Sequence, residues 1–274
     1  RLVGLINRGV PSIPGSYSIE SARFHQLCEI DSPLVTYDAG EADPVSAQIS
    51  SHLSMLVDDG STLQLGLGKV PARLLSRLGD RRRLRFHTGL LTAGYFDLLE
   101  AGALDETVDH HSCVALGDIA YYRRLMDAPG LKISGVEFTH DPAVLSGLDS
   151  LIAINSALEV DLFGQANLEF MRDRKVSSAG GAPDFSRAAR LSARGKSIIA
   201  LPATAAGGDV SRIVACLSNH SPVSLSKHDI DYVVTEFGVA RISDVSESAR
   251  ARALVEIAAP EFREELAKSF RDAV

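Results

Sequence analysis

Two glycine-rich segments are positions where the backbone itself could bind an anion. In the first, Gly66 and Gly68 follow a strand-like run, Thr62 to Leu65, and precede a helical pattern. Because glycine has no side chain, backbone N–H groups at such a turn can approach an anion beside the N-terminus of the next helix. The spacing misses the dinucleotide-binding fingerprint, since Val70-Pro71 stands where its last glycine would be. Such turns are also plain tight connections, so ligand contact stays one of two interpretations.

The second segment runs from Ser177 to Phe185 and contains the pair Gly180 and Gly181. Adjacent glycines can direct N–H donors at a carbonyl oxygen or at the oxyanion that forms from it. An ordinary loop would have the same composition. Both interpretations, an anion-stabilising loop and a simple connection, therefore stay open on this pattern alone.

The remaining polar groups that could do chemistry are isolated ones. Glu159 and Asp161 alternate with apolar residues, so on a strand both carboxylates would share one face. Paired carboxylates can do acid/base work, but they more often accept hydrogen bonds from backbone donors and basic side chains at the end of a sheet. Glu106, His110 and His111 contain metal-ligand types without a second cluster, and we predict a surface loop there.

The elements that must position these groups alternate between strand and helix, which predicts an α/β fold with a mostly parallel sheet flanked by helices on both faces. The predicted elements of the first half are a helix from Asp43-Pro44 to Leu56, a strand from Thr62 to Leu65, a helix led by Pro71, a strand from Leu84 to Phe86, a helix from Gly94 to Leu99, a strand from Cys113 to Leu116, a helix from Ile119 to Met126 and a strand near Lys132 to Val136. The second half adds predicted strands over Leu151 to Ile154, Ser197 to Leu201, Val223 to Leu225 and Tyr232 to Thr235, then helices from Ser246 to Ala258 and from Pro260 onward.

Composition limits the classes of partner. The chain has 274 residues, 45% of them hydrophobic, and this is enough to bury a full core. A formal charge of −7 argues against general nucleic-acid binding, which needs clustered Lys and Arg. Three scattered cysteines predict neither a disulfide framework nor a metal site, and they favour a reducing cytoplasm. We expect no membrane partner, because no apolar run is long enough to span one.

Six stretches occur in the order in which one protein family has them, and together they are more specific than any glycine turn. They are Asp59 to Pro71, Asn155 to Gln165, Gly195 to Pro202, Val210 to Val214, Asp231 to Ala240 and Ala251 to Leu254. This set resembles the C-terminal half of the acetyl-CoA hydrolase/transferase family, which includes 4-hydroxybutyrate, butyrate and acetate CoA-transferases.

The resemblance implies a domain organisation. The family's α/β sandwich is built twice, so we expect residues 44–274 to form its C-terminal domain and residues 1–43 to be a connecting segment from an N-terminal half that is missing here. The first residue, Arg1, is not a methionine, which agrees with a piece of a longer chain. We expect a homo-oligomer in which that N-terminal half takes part.

The resemblance also implies a chemistry and places its nucleophile. In the family a glutamate attacks an acyl-CoA thioester and relays coenzyme A to a small carboxylate through a glutamyl-CoA thioester. That glutamate belongs to a His-Ser-Glu-Met-like stretch, and the corresponding stretch here runs from Phe86 to Gly94, with Gly89 at the glutamate's position. Glycine cannot form a covalent intermediate, so the implied relay is interrupted at this residue.

The family's glycine loop, Gly-x-Gly-Gly-Gln-x-Asp-Phe, corresponds to residues 178–185. Its first glycine and its glutamine are replaced by Ser178 and Ala182, while Gly180 and Gly181 are kept. The resemblance therefore implies that the loop still places a CoA thioester, with Gly66 and Gly68 as further binding residues. Coenzyme A would be present only as the substrate thioester, and no metal is expected.

Two hypotheses follow. The chain is either an acyl-CoA enzyme with an altered mechanism, such as direct attack of water with Gly180 and Gly181 at the oxyanion and His87 as the base, or a non-catalytic subunit or pseudoenzyme that binds acyl-CoA. A nucleophile supplied from elsewhere would also allow the first. A sugar-phosphate isomerase of related architecture is compatible with the fold class but is not supported by the motifs.

Overall fold

A computed structural model describes residues 1–13, 15–41, 43–171, 174–218 and 220–273. The strands are β1 (Val3–Asn7), β2 (Gln26–Ile30), β3 (Thr62–Leu65), β4 (Arg85–Leu91), β5 (His110–Ala115), β6 (Leu131–Ile133), β7 (Leu151–Asn155), β8 (Glu159–Asp161), β9 (Ala166–Asn167), β10 (Phe170–Met171), β11 (Arg174–Lys175), β12 (Lys196–Ala200), β13 (Thr204–Ala205), β14 (Val210–Ser211), β15 (Ile213–Val214), β16 (Tyr232–Thr235) and β17 (Gly238–Arg241). The α-helices are α1 (Pro44–Ser54), α2 (Lys69–Leu75), α3 (Gly94–Glu100), α4 (Ile119–Arg124), α5 (Val136–Thr139), α6 (Pro142–Ser146), α7 (Ala182–Leu191), α8 (Glu247–Glu256) and α9 (Arg263–Ala273).

One large sheet organises the fold. Its strand order is β17-β16-β12-β7-β3-β4-β5-β6. Every neighbouring pair in it is parallel except β16 with β17. The predicted mostly parallel α/β fold is confirmed. The chain leaves β3 toward β4 on one side and returns to β7 on the other, so the strand order reverses between β3 and β7, where open α/β sheets form their ligand crevice.

Both faces of the sheet are covered. Along β7, Ile152 and Ile154 pack in the core formed with helices α1 to α4, whereas Leu151 and Ala153 pack against α7. Side chains alternate between the two faces of a strand, so a run covered by helices on both sides is apolar at successive positions, as Leu151 to Ile154 are. Phe185 of α7 packs in the same core as Leu151 and Ala153, and a Cβ atom built on Gly89 would be 3.9 Å from its ring, so α7 and the glycine loop before it lie on the side of the sheet that Gly89 faces.

Local sequence signals account for where several elements begin and end. Asp43 caps α1 by accepting a hydrogen bond from the backbone N–H of Ser46, and Pro44 takes the first helical position, where its missing N–H costs nothing.

Three predictions of local structure were wrong. His110 and His111 belong to β5 and not to a surface loop, and His110 is buried because its Nδ1 accepts from the N–H of Phe86.

The other two errors concern short apolar runs. The segment Val223 to Leu225 forms a single bridge, between Leu225 and Ala166, and no strand. The predicted strand near Lys132 to Val136 ends at Ile133, and Val136 begins α5. In both cases a few apolar residues satisfied the strand pattern although no neighbouring strand was available over their whole length.

Residues before α1 form a small separate sheet. Strands β1 and β2 pair in parallel, and Val3, Leu5 and Leu27 on them are exposed. The division into a connecting segment, residues 1–43, and a domain, residues 44–274, stays a prediction. Among the described residues, no helix is both long enough and apolar enough to cross a membrane.

Candidate functional site

Gly89 lies in the middle of β4, half-buried, with its Cα facing two rings. A Cβ atom built on it would be 3.4 Å from Cε1 and Nε2 of His140 and 3.9 Å from Cε2 of Phe185. The imidazole of His140 therefore lies in van der Waals contact with the position that the Cβ atom of any larger residue at 89 would take.

Gly181 meets the same imidazole from the other side. A Cβ atom on Gly181 would overlap Nε2 and Cδ2 of His140, and so only glycine permits this close approach. Gly181 is the N-cap residue of α7, and Phe185, one turn into that helix, packs edge-to-face on the His140 ring with centroids 4.9 Å apart. The structure thus brings Gly89 and Gly181 together, with His140 against both.

Gly180 is exposed and has φ +54°, a backbone conformation that glycine adopts without strain, and the space beside its Cα is open. The N–H of Ala182 donates to the carbonyl of Ala179, whereas the N–H groups of Gly180 and Gly181 donate to none of the residues that the structure describes. Among the described residues, these two adjacent backbone donors therefore have no acceptor, and Gly181 carries one of them next to the His140 ring.

Thr139 holds the two histidines next to this gap. Its carbonyl accepts a hydrogen bond from Nε2 of His87 at 2.9 Å, and its hydroxyl lies 2.9 Å from Nδ1 of His140. The first bond links α5 to β4, so His87 fixes the end of the helix on which His140 is carried. The second leaves Nε2 of His140 directed at the gap between Gly89 and Gly181.

Burial governs the charge of these histidines. His87 is 3% exposed, and burial lowers its pKa to about 4, although its hydrogen bond to Thr139 opposes the shift. Burial also lowers the pKa of the half-buried His140, while the negative charge of Asp184 opposes this. Both rings are thus neutral at pH 7. The role of His87 as the base stays a prediction.

Gly66 and Gly68 lie at a cavity elsewhere on the sheet. They follow directly on β3, and they line a cavity of about 430 Å³ whose lining does not include Gly89 or His140. Tyr37 and three carboxylates, those of Asp38, Asp97 and Asp118, also line this cavity. Burial raises the pKa of Tyr37, Asp38 raises it further, and a hydrogen bond from the Gly68 backbone opposes both.

The carboxylates of Glu159 and Asp161 have structural partners. Glu159 accepts hydrogen bonds from the side chains of Asn167 and Ser221. Asp161, fully buried, accepts from three backbone N–H groups and one amide side chain. These donors are the N–H groups of Phe163, Gln165 and Leu217 and the Nε2 of Gln165. The carboxylates therefore hold the loops around β8, as the sequence analysis favoured.

Replacing Asp161 with Ala should lower the free energy of unfolding by about 3 kcal/mol, because three backbone N–H groups would lose a charged acceptor at once. Urea unfolding followed by circular dichroism measures the change. The matched control is Asp80→Ala, which removes a carboxylate with 72% of its side chain exposed and should cost less than about 0.5 kcal/mol. Equal costs for the two variants would contradict this account.

The described residues contain no group of three or more His, Cys, Asp or Glu side chains arranged to hold a metal ion. His111 contacts the hydroxyl of Ser134, and Glu106 is exposed. Cys113, on β5 beside Gly89, donates its thiol hydrogen to the Gly89 carbonyl at 3.0 Å.

Comparison with known proteins decides the family. The model of the acetyl-CoA hydrolase/transferase C-terminal domain matches residues 117–270. The chain belongs to the acetyl-CoA hydrolase/transferase family. It is 33% identical over 276 residues to the 4-hydroxybutyrate coenzyme A transferase of Clostridium kluyveri, a match that covers 98% of this chain and 64% of that relative.

Solved structures of similar proteins agree. RipA from Yersinia pestis superimposes with a TM-score of 0.91 and 33% identity, over 100% of this chain and 63% of RipA. A 4-hydroxybutyrate CoA-transferase from Porphyromonas gingivalis gives a TM-score of 0.85 and 30% identity, over 99% of this chain and 66% of that one. The chain thus spans less than two thirds of the length of the first two of these family members.

His140 is the site residue that sequence reasoning missed. It lies outside the sequence stretches that carry the resemblance to the family, in a segment with no glycine pair and no second histidine nearby. Its only sequence signal is the Asp141-Pro142 helix start that follows it, which ends α5 and fixes where the ring emerges.

Proposed function

We propose that this chain carries the acyl-CoA site of a CoA-transferase or acyl-CoA hydrolase, with Gly89 at the position of the family's glutamate nucleophile. The observation that supports this most directly is the convergence of Gly89 and Gly181 on one imidazole, in a loop where the N–H groups of Gly180 and Gly181 donate to none of the described residues. Coenzyme A enters as the thioester of the substrate, and a small carboxylate is the acceptor in transfer.

The two glycine segments divide the ligand between them. The N–H groups of Gly180 and Gly181 suit the thioester carbonyl, because donors fixed in place stabilise the negative charge that develops on its oxygen. The cavity at Gly66 and Gly68 is lined by carboxylates, which repel phosphate, so it suits the uncharged pantetheine arm better than the nucleotide.

The second candidate function is a non-catalytic acyl-CoA-binding subunit or pseudoenzyme. It is favoured by the absence of a side chain at Gly89 and by Ser178 and Ala182 in place of the family's glycine and glutamine. Removing a nucleophile from a tuned site can lower the rate on the order of 10⁶-fold, so a binding role would survive where turnover does not.

One experiment tests both candidates. The complete protein is incubated with a panel of acyl-CoAs, with and without acetate, while free thiol and exchange of coenzyme A between acyl groups are followed. Thiol release supports hydrolysis, and acetate-dependent exchange supports transfer. Binding measured by calorimetry without turnover supports the binding subunit, and absence of both binding and turnover overturns the proposal.

Because glycine cannot form an anhydride or a thioester, we expect no covalent glutamyl-CoA at Gly89. After acyl-CoA treatment and borohydride reduction, or hydroxylamine trapping, the peptide spanning residues 86–94 should be unmodified in a mass spectrum. Label on another carboxylate, such as that of Glu159, together with strong transfer, would show that the nucleophile lies elsewhere.

A further inference from the structure

We propose that His140 is the catalytic base of this site and that it directs water onto the thioester in place of the missing carboxylate. The inference rests on the proposed function and deepens it, because it commits the site to hydrolysis. Three features of His140 support this inference: the position of its ring, its tautomer and its partial exposure.

The first feature is the position of the His140 ring, which lies next to the place where Gly89 lacks a side chain. His140 Nε2 lies against Gly89 and Gly181 together, so a thioester held by the loop N–H groups would meet this nitrogen where the family's relatives, by the resemblance, have a carboxylate. Glycine at position 181 is what admits the ring, since any larger residue there would collide with it.

The tautomer follows from Thr139. Its hydroxyl has one hydrogen and lies 3.4 Å from the carbonyl of Gly135, one helical turn earlier, so a hydrogen directed at that carbonyl leaves the Oγ1 lone pairs for Nδ1 of His140. We therefore assign Oγ1 as the acceptor of the Nδ1–H of His140. The lone pair then lies on Nε2, which faces the gap and can accept a proton.

Exposure and charge distinguish His140 from the nearby His87. His87 is buried and its Nε2–H donates to the Thr139 carbonyl, whereas His140 is half-buried against Gly181, which follows the exposed Gly180. The titratable groups that act on His140 are His87 from β4 and Asp184 from α7. Burial keeps the imidazole neutral, and Asp184 favours the imidazolium that forms when it takes a proton.

The step balances without a co-reactant. Water attacks the carbonyl carbon while Nε2 takes one of its protons, and the resulting oxyanion accepts hydrogen bonds from Gly180 and Gly181. The C–S bond then breaks, and the thiolate of coenzyme A receives the proton from Nε2. The carboxylic acid loses its own proton to solvent.

The test uses the complete protein with acetyl-CoA and a longer acyl-CoA. His140→Gln keeps the shape of the ring's polar edge but cannot act as a base, and we expect hydrolysis to fall by about 100-fold or more with acyl-CoA binding unchanged. His140→Ala should lose as much and recover part of it when imidazole is added. The matched control is His52→Gln, a half-buried histidine on α1, which should retain its rate.

The outcomes separate this inference from the function on which it rests. Hydrolysis by the unaltered protein that survives in His140→Gln and is unaffected in His140→Ala overturns the role of His140 and leaves the proposed function. Binding without hydrolysis in the unaltered protein also overturns it. An acyl group trapped on Cys113 in a mass spectrum would replace water attack by a thiol nucleophile and overturn the base as written. Absence of binding refutes the proposed function itself.

Discussion

Combining Gly89→Glu with His140→Ala is expected to create CoA transfer, by about 100-fold over the unaltered protein, and a covalent glutamyl-CoA at residue 89. The reason is steric. A Cβ atom at position 89 would be 3.4 Å from the His140 ring and 3.9 Å from Phe185, so both rings border the space into which the longer glutamate side chain must extend. Removing the ring opens the space beside Gly181, where the loop N–H groups would meet the new thioester.

Gly89→Glu alone should give a much smaller gain, because the His140 ring and Phe185 together obstruct the new side chain. The readouts are acetate-dependent exchange of coenzyme A and the mass of the peptide spanning residues 86–94. Gly89→Gln with His140→Ala is the matched control, equal in size but unable to form the anhydride. Equal transfer by the single and the double Glu variants would show that His140 does not limit the site.

Lowering the pH from 7 to 4.5 should reduce the free energy of unfolding by several kcal/mol, because two buried histidines resist protonation. Burial lowers the pKa of His87 and of His110 to about 4, against 6.5 in the unfolded chain. Between these values the unfolded state binds more protons, so stability is highest above pH 6.5 and falls until about pH 4. Each histidine contributes on the order of 3 kcal/mol to this loss.

Urea unfolding at a series of pH values measures the slope. His110→Asn keeps an acceptor for the N–H of Phe86 but cannot titrate, and the difference in stability between pH 7 and pH 4.5 should shrink accordingly. The control is His228→Asn, which replaces an exposed histidine and should leave the difference in stability between pH 7 and pH 4.5 unchanged. An unchanged pH dependence in His110→Asn would mean that other groups cause the acid sensitivity.

Much of the fold was predictable because its signals are local. The alternation of apolar runs, the Asp43-Pro44 helix start and the glycine turn after β3 each depend on neighbouring residues, and the structure has each where the sequence indicates it. The family was predictable for a related reason, since its motifs are contiguous stretches. The residue that interrupts the relay, Gly89, could be found by position within one such stretch.

The surroundings of Gly89 were decided by tertiary structure alone. His140 and Gly181 are far from Gly89 in the chain, and they meet because α5 and α7 lie on the same face of the sheet as the glycine. His110 was misplaced for the same reason, since a polar residue is buried only when a partner, here the N–H of Phe86 on the adjacent strand, satisfies it. Sequence determines which residues can form strands and turns, whereas the order of strands in the sheet determines which side chains share a site.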